Sequence, residues 1–439
     1  MVDIHPFHGV RYNQAVVRDL AQVICPPYDI IPPHVQSELY GRSEHNFIKL
    51  EHARELSQDT ASENKYTRAA ATLSRWLAQG ILTVEEAPAV YLHDHHFRYQ
   101  SQEYRRRGII TLVRLEEWES RVVRPHEGTL ANPRSDRLSL LRALRSDTSS
   151  IMVLFEDRDK EVASALAAME KDEPVIHFNA DSGEKHVLWA VSEAETLAQL
   201  RQHLAHQPLY IADGHHRYES ALAYQREQSE KLMGSHGDKG FDFVMMELVD
   251  FADPGLVVLP PHRLVRGLPA EKIDGILNGL DSLFQIQKLP FAPPDVWQKV
   301  NVFLAGNESQ GRIAIFGLDG RNILLLKSHN LTALDRLMPA SRSEHYRRLS
   351  VSILDHVVLD KLSGLKREQA AEALAYSYDQ AEAVGMVLDG QYQLAFLIGP
   401  MKADMIKTIA DVGDRMPGKS TYFYPKLPSG LVFYRMADR

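Results

Sequence analysis

Residues 208–226 read Pro-Leu-Tyr-Ile-Ala-Asp-Gly-His-His-Arg-Tyr-Glu-Ser-Ala-Leu-Ala-Tyr-Gln-Arg. The apolar run Leu209–Ala212 predicts a short buried strand, and Asp213-Gly214 predicts the turn that ends it. Helical spacing then places four side chains on one face, namely Tyr218, Ala221, Leu222 and Gln225. The stretch therefore predicts a strand, a turn and a helix in succession.

Five polar or flexible residues, Asp213 to Arg217, occupy the predicted turn. Ligands bind α/β sheets where a strand leads into a helix, and the free N–H groups of a helix start favour phosphate. We therefore predict that Gly214, His215 and Arg217 bind phosphate or a nucleotide, with Arg217 as a bidentate clamp. Asp213, which could hold a metal or orient a hydroxyl, and His216 are predicted to be catalytic. The alternative is an ordinary turn in which Asp213 caps the helix.

Composition excludes several classes of protein. The chain has 439 residues, 44% of them hydrophobic and 25% charged, which is typical of a globular protein of two or three domains. A net charge of −8 makes nucleic acid an unlikely partner. Cys25 is the single cysteine, so no intramolecular disulfide can form. No apolar run is long enough to span a membrane, and no signal peptide is recognisable, so we expect a cytoplasmic protein without a membrane partner. The oligomeric state is left open.

The hydrophobic pattern predicts strands and helices along the whole chain. Strands are predicted over 46–51, 89–100, 107–115, 151–155 and 241–250, and helices over 62–79, 160–171 and 192–205. In the last third, helices are predicted over 270–284, 294–305, 350–362 and 400–411, with Asp-Gly hairpins over 312–327 and 385–398.

Strands and helices do not alternate strictly, which predicts an α+β fold of mixed sheets with flanking helices. We expect a main domain over residues 1–265 that carries the polar motifs. A second α+β domain is expected over 266–439, with a tail that could return to the site.

A second polar segment, residues 120–137, is predicted to be a loop. His126 and Glu127 can orient one another and are candidate catalytic residues. Arg124, Arg134 and Arg137 suit phosphate or carboxylate. The alternative is a solvated loop with charge pairs.

Two further carboxylates are candidates for the site. The prolines of Pro26-Pro27-Tyr28-Asp29 restrict the backbone, so Tyr28 and Asp29 are predicted to bind substrate, with a structural surface turn as the alternative. Glu51 ends a predicted strand and is a candidate catalytic residue, although such carboxylates are usually only solvated.

Two histidine- or lysine-containing segments resemble known motifs only in part. Lys419-Ser420-Thr421 is not a Walker motif, because Pro417 removes a needed N–H group and a strand-like run follows; phosphate binding by these three residues is still predicted. His93-Asp94-His95-His96 would divide between the two faces of a strand, so no metal site is predicted there.

As a set, these motifs resemble a prokaryotic family known chiefly as a domain of unknown function, number one thousand and fifteen. The resemblance rests on Pro26-Pro27-Tyr28-Asp29, Asn46-Phe47-Ile48, Arg124-Pro125-His126-Glu127 with Thr129 and Asp136-Arg137, Asp213-Gly214-His215-His216-Arg217, Pro261-His262-Arg263 and Lys419-Ser420-Thr421-Tyr422-Phe423. It adds His262 and Arg263 to the candidate substrate-binding residues.

Asp-Gly-His-His-Arg also resembles the phosphate-binding motif of the ParB and sulfiredoxin superfamily. Members of that superfamily bind nucleotides, cut DNA or phosphorylate free L-serine. In the serine kinases the Asp of this motif lies at the active site, which Asp213 matches, and a Glu nearer the N-terminus is the base. Glu51 is the candidate for that Glu, without a motif match.

Three functions are compatible with these residues. The leading hypothesis is a small-molecule phosphotransferase, with free L-serine as the candidate acceptor, ATP, ADP or pyrophosphate as donor, and Mg²⁺ bound with the donor. The alternative is a nucleotide-binding regulatory or switch protein of ParB-like type. The third is a hydrolase or nuclease that uses the histidines.

Overall fold

The computed structural model describes residues 1–129, 131–170, 173–232, 238–306, 311–365 and 373–436. The chain forms two compact units. Unit 1 comprises Met1–Pro125, Thr129–Val257 and Pro425–Arg439, and unit 2 comprises His126–Gly128 and Val258–Tyr424. The predicted domains 1–265 and 266–439 stay a prediction, since the two units exchange short segments of chain.

The described residues form the following strands and helices. The strands are β1 Ile4–His5, β2 Gly9–Tyr12, β3 Leu82–Val84, β4 Val90–Tyr99, β5 Gln102–Arg114, β6 Val123–Arg124, β7 Ser146–Asp147, β8 Ile151–Phe155, β9 Ile176–Asn179, β10 Lys185–Val191, β11 Leu209–Asp213, β12 Phe243–Asp250, β13 Val257–Leu259, β14 His262–Val265, β15 Phe284–Pro290, β16 Arg312–Asp319, β17 Asn322–Ser328, β18 Leu374–Ser377, β19 Leu394–Ile398, β20 Tyr422–Tyr424 and β21 Phe433–Arg435. The helices are α1 Pro33–Arg42, α2 Ile48–Glu51, α3 Lys65–Ala78, α4 Ala131–Leu144, α5 Glu161–Met169, α6 Ala194–Leu204, α7 His215–Lys231, α8 Ala270–Leu280, α9 Asp295–Leu304, α10 Leu331–Leu337, α11 Glu344–Arg348, α12 Ser350–Ile353 (continued as a π-helix over Leu354–Leu362), α13 Gln380–Leu388 and α14 Ala403–Asp411.

Unit 1 is built on a large mixed sheet with the strand order β6-β11-β8-β12-β5-β4-β10-β9, to which β1 adds beside β5. β11 runs antiparallel to β8, and β12 runs parallel to β8. The end of β11 and the starts of β8 and β12 therefore lie side by side, at the same end of these three neighbouring strands. A smaller sheet has the order β3-β2-β21-β7, so the last strand of the chain returns to unit 1.

Unit 2 is built on a sheet with the order β15-β17-β16-β19-β14-β18, in which neighbouring strands run antiparallel. The sheet and its helices share a core that includes Val300, Ala314, Leu325, Val384 and Leu397. Each unit thus combines a sheet with helices that cover it, and the predicted α+β class is confirmed.

The strand, turn and helix predicted from residues 208–226 are confirmed as β11, Gly214 and α7. The strands predicted over 89–100 and 107–115 are confirmed as β4 and β5, which pair as an antiparallel hairpin. The Asp319-Gly320 hairpin is confirmed as β16 and β17. These three elements share strong local signals of apolar periodicity and turn residues.

Three predictions of secondary structure are wrong. In each case the local sequence pattern is compatible with two different structures. Residues 46–51 form the short helix α2 rather than a strand, since the Asn46 side chain accepts a hydrogen bond from Ile48 N and starts a turn. Part of the predicted loop 120–137 belongs to helix α4; Pro133 lies in its first turn, where proline is tolerated. Asp389-Gly390 ends helix α13 instead of turning a hairpin, with Gly390 at φ 72°.

Candidate functional site

The junction between β11 and α7 in unit 1 depends on Gly214. This residue adopts φ 97°, ψ 24° at the N-cap of α7, a left-handed conformation that glycine adopts readily. A Cβ atom at this position would lie 2.9 Å from Nε and Nη2 of Arg217. The guanidinium therefore packs directly over the Gly214 backbone, which explains why glycine is required here.

Asp213 is the carboxylate of this junction and is paired with two cations. Its Oδ1 accepts a hydrogen bond from Lys426 Nζ, and its Oδ2 accepts one from Arg217 Nη2 at 2.7 Å. Burial alone would raise the pKa of Asp213, but Lys426 and Arg217 outweigh it and lower the pKa below its usual value. Asp213 is therefore held as an ionised acceptor.

Arg217 connects the junction to the start of β8. Its Nη1 donates to the carbonyl of Ser150, while its Nε is buried and has no hydrogen-bond partner among the described residues. Arg217 also lines a small cavity with Arg137 and with three residues of the segment before β8, namely Asp147, Thr148 and Ser149. Two guanidinium groups and two hydroxyls facing one cavity suit an anion.

Asp147 is an acidic residue in the wall of this cavity. It accepts a hydrogen bond from Met245 N at 2.9 Å through Oδ2. Burial raises the pKa of Asp147 to about 7, against the lowering effects of that hydrogen bond and of Arg217. Its charge therefore changes near neutral pH.

Arg137 of α4 contacts two other predicted site residues, Glu51 and Tyr28. Its Nη1 donates to the Glu51 carbonyl at 2.9 Å, its Nε and Nη2 donate to Asp136, and its guanidinium lies 3.9 Å from the centre of the Tyr28 ring. Glu51, fully buried at the end of α2, accepts hydrogen bonds from Thr148 Oγ1 at 2.6 Å and Ser149 Oγ at 3.3 Å. Glu51 thus fixes Thr148 and Ser149, which line the cavity together with Arg137.

Tyr28 and Asp29 reach the same region from the proline-rich segment. Asp29 Oδ2 lies 3.9 Å from Lys426 Nζ. Burial raises the pKa of Tyr28 to about 12, and the charges of Arg137, Asp29, Arg217 and Asp213 also act on it. Unit 1 therefore gathers the predicted residues Tyr28, Asp29, Glu51, Arg137, Asp213, Gly214 and Arg217 in one region.

Four other predicted residues of unit 1 lie around this region. His215 is buried and His216 is half-buried in the first turn of α7. Arg124 donates to the Tyr210 hydroxyl at 3.1 Å. Arg134 is about half exposed (51%), with Nη1 3.6 Å from Glu219 Oε2, so its guanidinium is accessible from solvent.

Within unit 2, Glu127 binds the loop that was predicted to bind phosphate. Its Oε1 accepts hydrogen bonds from Ser420 N at 3.0 Å, Thr421 N at 2.9 Å and Thr421 Oγ1 at 2.9 Å. Its Oε2 accepts one from Lys419 N at 3.1 Å. Consecutive N–H groups of this kind form an anion-binding nest, and here a carboxylate of the chain itself occupies it. Phosphate binding through these three backbone N–H groups stays a prediction that requires Glu127 to move.

The remaining predicted residues also belong to unit 2. His126 is fully buried, with Nε2 3.0 Å from Thr421 Oγ1. Burial lowers the pKa of His262 to about 4, and its Nδ1 accepts a hydrogen bond from Ile398 N. Arg263 is fully buried and pairs with Asp355 at 3.1 Å. These contacts explain His262 and Arg263 as internal partners of the sheet, and their role in substrate binding stays a prediction.

Sequence reasoning missed four polar residues of the unit 1 region, namely Asp147, Thr148, Ser149 and Lys426. Each reaches the region through contacts distant in sequence, 213 positions in the case of Lys426 and Asp213. No local sequence pattern identifies such residues. The structure shows that the segment carrying Lys426 is ordered, because strand β21 follows it.

The family resemblance is confirmed by a match to a family model. The model is described as Protein of unknown function (DUF1015) and matches residues 4–402. The chain therefore belongs to this family. No curated protein matches the chain.

Several solved structures match the chain at low identity and low TM-score. Free serine kinase in complex with AMP is 12% identical, with a TM-score of 0.36, covering 73% of this chain and 92% of that one. A conserved hypothetical protein from Pyrococcus furiosus is 13% identical (TM-score 0.35, 73% and 95% covered). SbnI from Staphylococcus aureus, with a C-terminal truncation, is 9% identical (TM-score 0.33, 73% and 85% covered). Identity and TM-score this low carry no inference about function.

Among the described residues, no helix is long and apolar enough to cross a membrane.

Proposed function

We propose that this protein is a small-molecule phosphotransferase whose donor phosphates bind at the start of α7. The observation that carries the proposal is the pairing of Asp213 with both Lys426 and Arg217 where β11 leads into α7. Phosphoryl transfer needs little covalent chemistry from the protein, and depends on positioning and charge neutralisation. Lys426 and Arg217 would neutralise phosphate charge, and the N–H groups at the start of α7 would position the phosphates beside Asp213.

The donor is proposed to be ATP, ADP or pyrophosphate. The N–H groups at Gly214, His215 and His216 and the guanidinium of Arg217 would contact its phosphates. The unpartnered Nε of Arg217 supports this assignment, because a buried N–H donor without an acceptor is costly. Arg124 and the accessible Arg134 are proposed to bind the donor tail or the acceptor carboxylate.

Mg²⁺ is expected to accompany the donor phosphates. Of the two carboxylates beside Lys426, Asp213 already accepts from two cations, whereas Asp29 is 27% exposed and lies 3.9 Å from Lys426 Nζ. We therefore assign Asp29 to the metal, which prefers oxygen ligands and would neutralise charge on the transferred group.

Asp213 and Glu51 are proposed to act differently on the acceptor hydroxyl. The lowered pKa of Asp213 makes it a weak proton acceptor but a good hydrogen-bond acceptor, so it would orient the hydroxyl. Glu51 accepts from Thr148, Ser149 and Arg137 and is fully buried. It would act as base with the substrate hydroxyl in the place of one of these donors.

Free L-serine is the acceptor to test first. Purified full-length protein is incubated with L-serine, Mg²⁺ and ATP, ADP or pyrophosphate in turn, and phosphoserine is measured by mass spectrometry. We expect phosphoserine with at least one donor and its loss in Asp213→Asn, while Arg98→Gln, an exposed hairpin residue, retains activity. Absence of product with every donor would overturn the proposal for serine. Donor binding without any product would instead favour the nucleotide-binding regulator.

A further inference from the structure

A second cluster of polar side chains lies on another part of the large sheet of unit 1. His93 and His95 project from the same face of β4, and His186 lies on the neighbouring strand β10 directly opposite His95. The three imidazoles are at most 1% exposed. Glu184, just before β10, is 23% exposed at the side chain and lies at the margin of the cluster. Three buried imidazoles in contact need a physical explanation, because buried polar groups are costly unless fully paired.

Three ligand atoms converge in this cluster. His95 Nε2 lies 2.7 Å from Glu184 Oε2, and His186 Nε2 lies 3.9 Å from the same oxygen. One ligand atom from each of the three residues falls within 4.8 Å of the others. Metal–ligand bonds of about 2.0–2.2 Å place tetrahedral ligand atoms roughly 3.3 Å apart, so modest side-chain movement suffices.

The hydrogen bonds around His186 direct a lone pair towards Glu184. Glu247 Oε1 lies 3.0 Å from His93 Nδ1, and His93 Nε2 lies 3.1 Å from His186 Nδ1. If Glu247 accepts from His93, then His93 accepts from His186, and Nε2 of His186 carries a lone pair. That lone pair and the Glu184 carboxylate then face one another at 3.9 Å, an arrangement that a cation stabilises. The Glu247–His93 pair has the character of an outer shell that orients a metal-binding histidine.

Gly108 on β5 allows Glu247 to reach His93. A Cβ atom there would lie 2.7 Å from Glu247 Cγ and Oε1. Glu247 therefore crosses over Gly108 to reach His93 on the next strand.

Arg106 sets a condition on the third ligand. Its Nη2 donates to His95 Nδ1 at 3.1 Å, so a neutral His95 carries its proton on Nε2 and donates it to Glu184. Zinc binds the neutral imidazole, so ligation through Nε2 requires the His95 proton to lie on Nδ1 instead. Arg106 Nη2 would then give up its hydrogen bond to His95 and keep the one to the Pro425 carbonyl.

We propose that His95, Glu184 and His186 bind a divalent transition metal, with Zn²⁺ as the ion to test. Two imidazoles and a carboxylate are a known zinc ligand set that leaves a fourth position for water. The partly exposed Glu184 provides the route of entry. This site is independent of the proposed phosphotransferase activity, since it uses none of the same side chains.

Zinc titration of the full-length, tag-free protein tests the site directly. After chelator treatment and dialysis, Zn²⁺ binding is measured by calorimetry, and Co²⁺ is added separately to record its d–d absorption. We expect a single high-affinity ion per chain, a raised thermal midpoint, and Co²⁺ bands typical of tetrahedral coordination. The variants Glu184→Gln and His186→Asn keep hydrogen-bonding groups in place and are expected to weaken zinc binding by more than the roughly tenfold to hundredfold that loss of an outer-shell partner costs.

His177→Asn is the matched control, because His177 is an exposed histidine on the adjacent strand β9. It should bind zinc as the wild-type protein does. Equal zinc affinity in the wild type, Glu184→Gln and His186→Asn would overturn the proposal and leave a purely hydrogen-bonded histidine network. Should His186→Asn fail to fold by circular dichroism, Glu184→Gln decides alone, because its side chain lies at the partly exposed margin.

Discussion

At the scale of single residues, the site depends on the balance of charge at Asp213. Burial opposes its ionisation, and Lys426 and Arg217 restore it. When one member of such a buried pair is removed, the other charge is left without compensation, which typically costs about 3–5 kcal/mol. Neutralising either cation should therefore affect stability as well as ligand binding, and variants must be checked for folding.

Gly214→Ala should damage the junction through the backbone. A left-handed conformation costs an alanine about 1–2 kcal/mol, and the new Cβ would lie 2.9 Å from Arg217 Nε. We expect the free energy of unfolding, measured by urea denaturation, to fall by about that amount, with a further loss of nucleotide affinity as the guanidinium shifts. Gly41→Ala, in α1 with no atom within 4 Å of the new Cβ, is the control and should not destabilise. Similar denaturation midpoints for the two variants would contradict this explanation.

Asp147 predicts a pH dependence of stability. Its pKa is raised from 3.8 to about 7 on folding, so the unfolded chain releases this proton at lower pH than the folded one does. The contribution is fully favourable below about pH 4, decreases as the pH rises towards 7, and is lost above that. Asp147→Asn can still accept from Met245 N, and should show a smaller loss of unfolding free energy between pH 4.5 and 8 than the wild type, by about 3 kcal/mol. Identical pH profiles for the two proteins would show that Asp147 is not the group responsible.

At the residue scale, the sequence predicts the turn and the helix start at Asp213 to Arg217 because their signals are adjacent in the chain. It does not predict Lys426 as the partner of Asp213, because no short-range pattern encodes a contact 213 positions long. Glu184 and His186 are hidden for the same reason. Alternation along β4 shows only that His93 and His95 share a face, whereas His186 lies on β10 and Glu184 directly precedes that strand.

At the scale of elements, the wrong predictions concern signals that two structures share. Asp-Gly turns the β16–β17 hairpin at residues 319–320, yet at 389–390 it ends helix α13. In both places glycine supplies a positive φ, so the dipeptide alone does not choose between a hairpin and a helix end. The helix α4 was missed because its first half is polar, and its amphipathic character is weak there.

Glu127→Gln tests whether the loop 419–421 depends on an internal anion. Lys419, Ser420 and Thr421 all donate backbone N–H groups to this carboxylate, and an amide would direct its own N–H group at one of them. We expect unfolding free energy to fall by about 1–3 kcal/mol, measured by urea denaturation. Glu344→Gln, an exposed residue of the same unit whose carboxylate lies 4.0 Å from Arg348, should change stability by less than about 0.5 kcal/mol. If Glu127→Gln behaves like this control, the nest does not need the charge.

At the scale of the whole molecule, unit 1 needs both ends of the chain. β21 pairs with β2 from the N-terminal segment and with β7, and the same C-terminal segment carries Lys426. The sequence predicts the α+β class and the family from local motifs. It cannot predict that the last described residues complete the first unit, since strand pairing across the whole chain has no local signature.

A chain that ends at Tyr424 should therefore lose the cooperative unfolding of unit 1. It lacks β21 as well as the hydrogen bond from Arg106 to the Pro425 carbonyl. Full-length Lys426→Met is the control, because it removes the ion pair and keeps the strand; it should unfold cooperatively with lower stability. Circular dichroism during urea denaturation distinguishes the two. A truncated chain that unfolds as the full-length protein does would show that the segment contributes nothing to the fold.

The most direct measurement is the affinity for ADP, pyrophosphate and ATP, determined by calorimetry for the wild type, Arg217→Gln and Arg98→Gln. The proposed donor site predicts that the wild type binds at least one of the three ligands, that Arg98→Gln binds it equally well, and that folded Arg217→Gln binds it at least about tenfold more weakly, because a bidentate, charge-assisted contact is lost. Unchanged affinity in folded Arg217→Gln, or no binding of any of the three ligands by the wild type, would contradict a phosphate site at the start of α7.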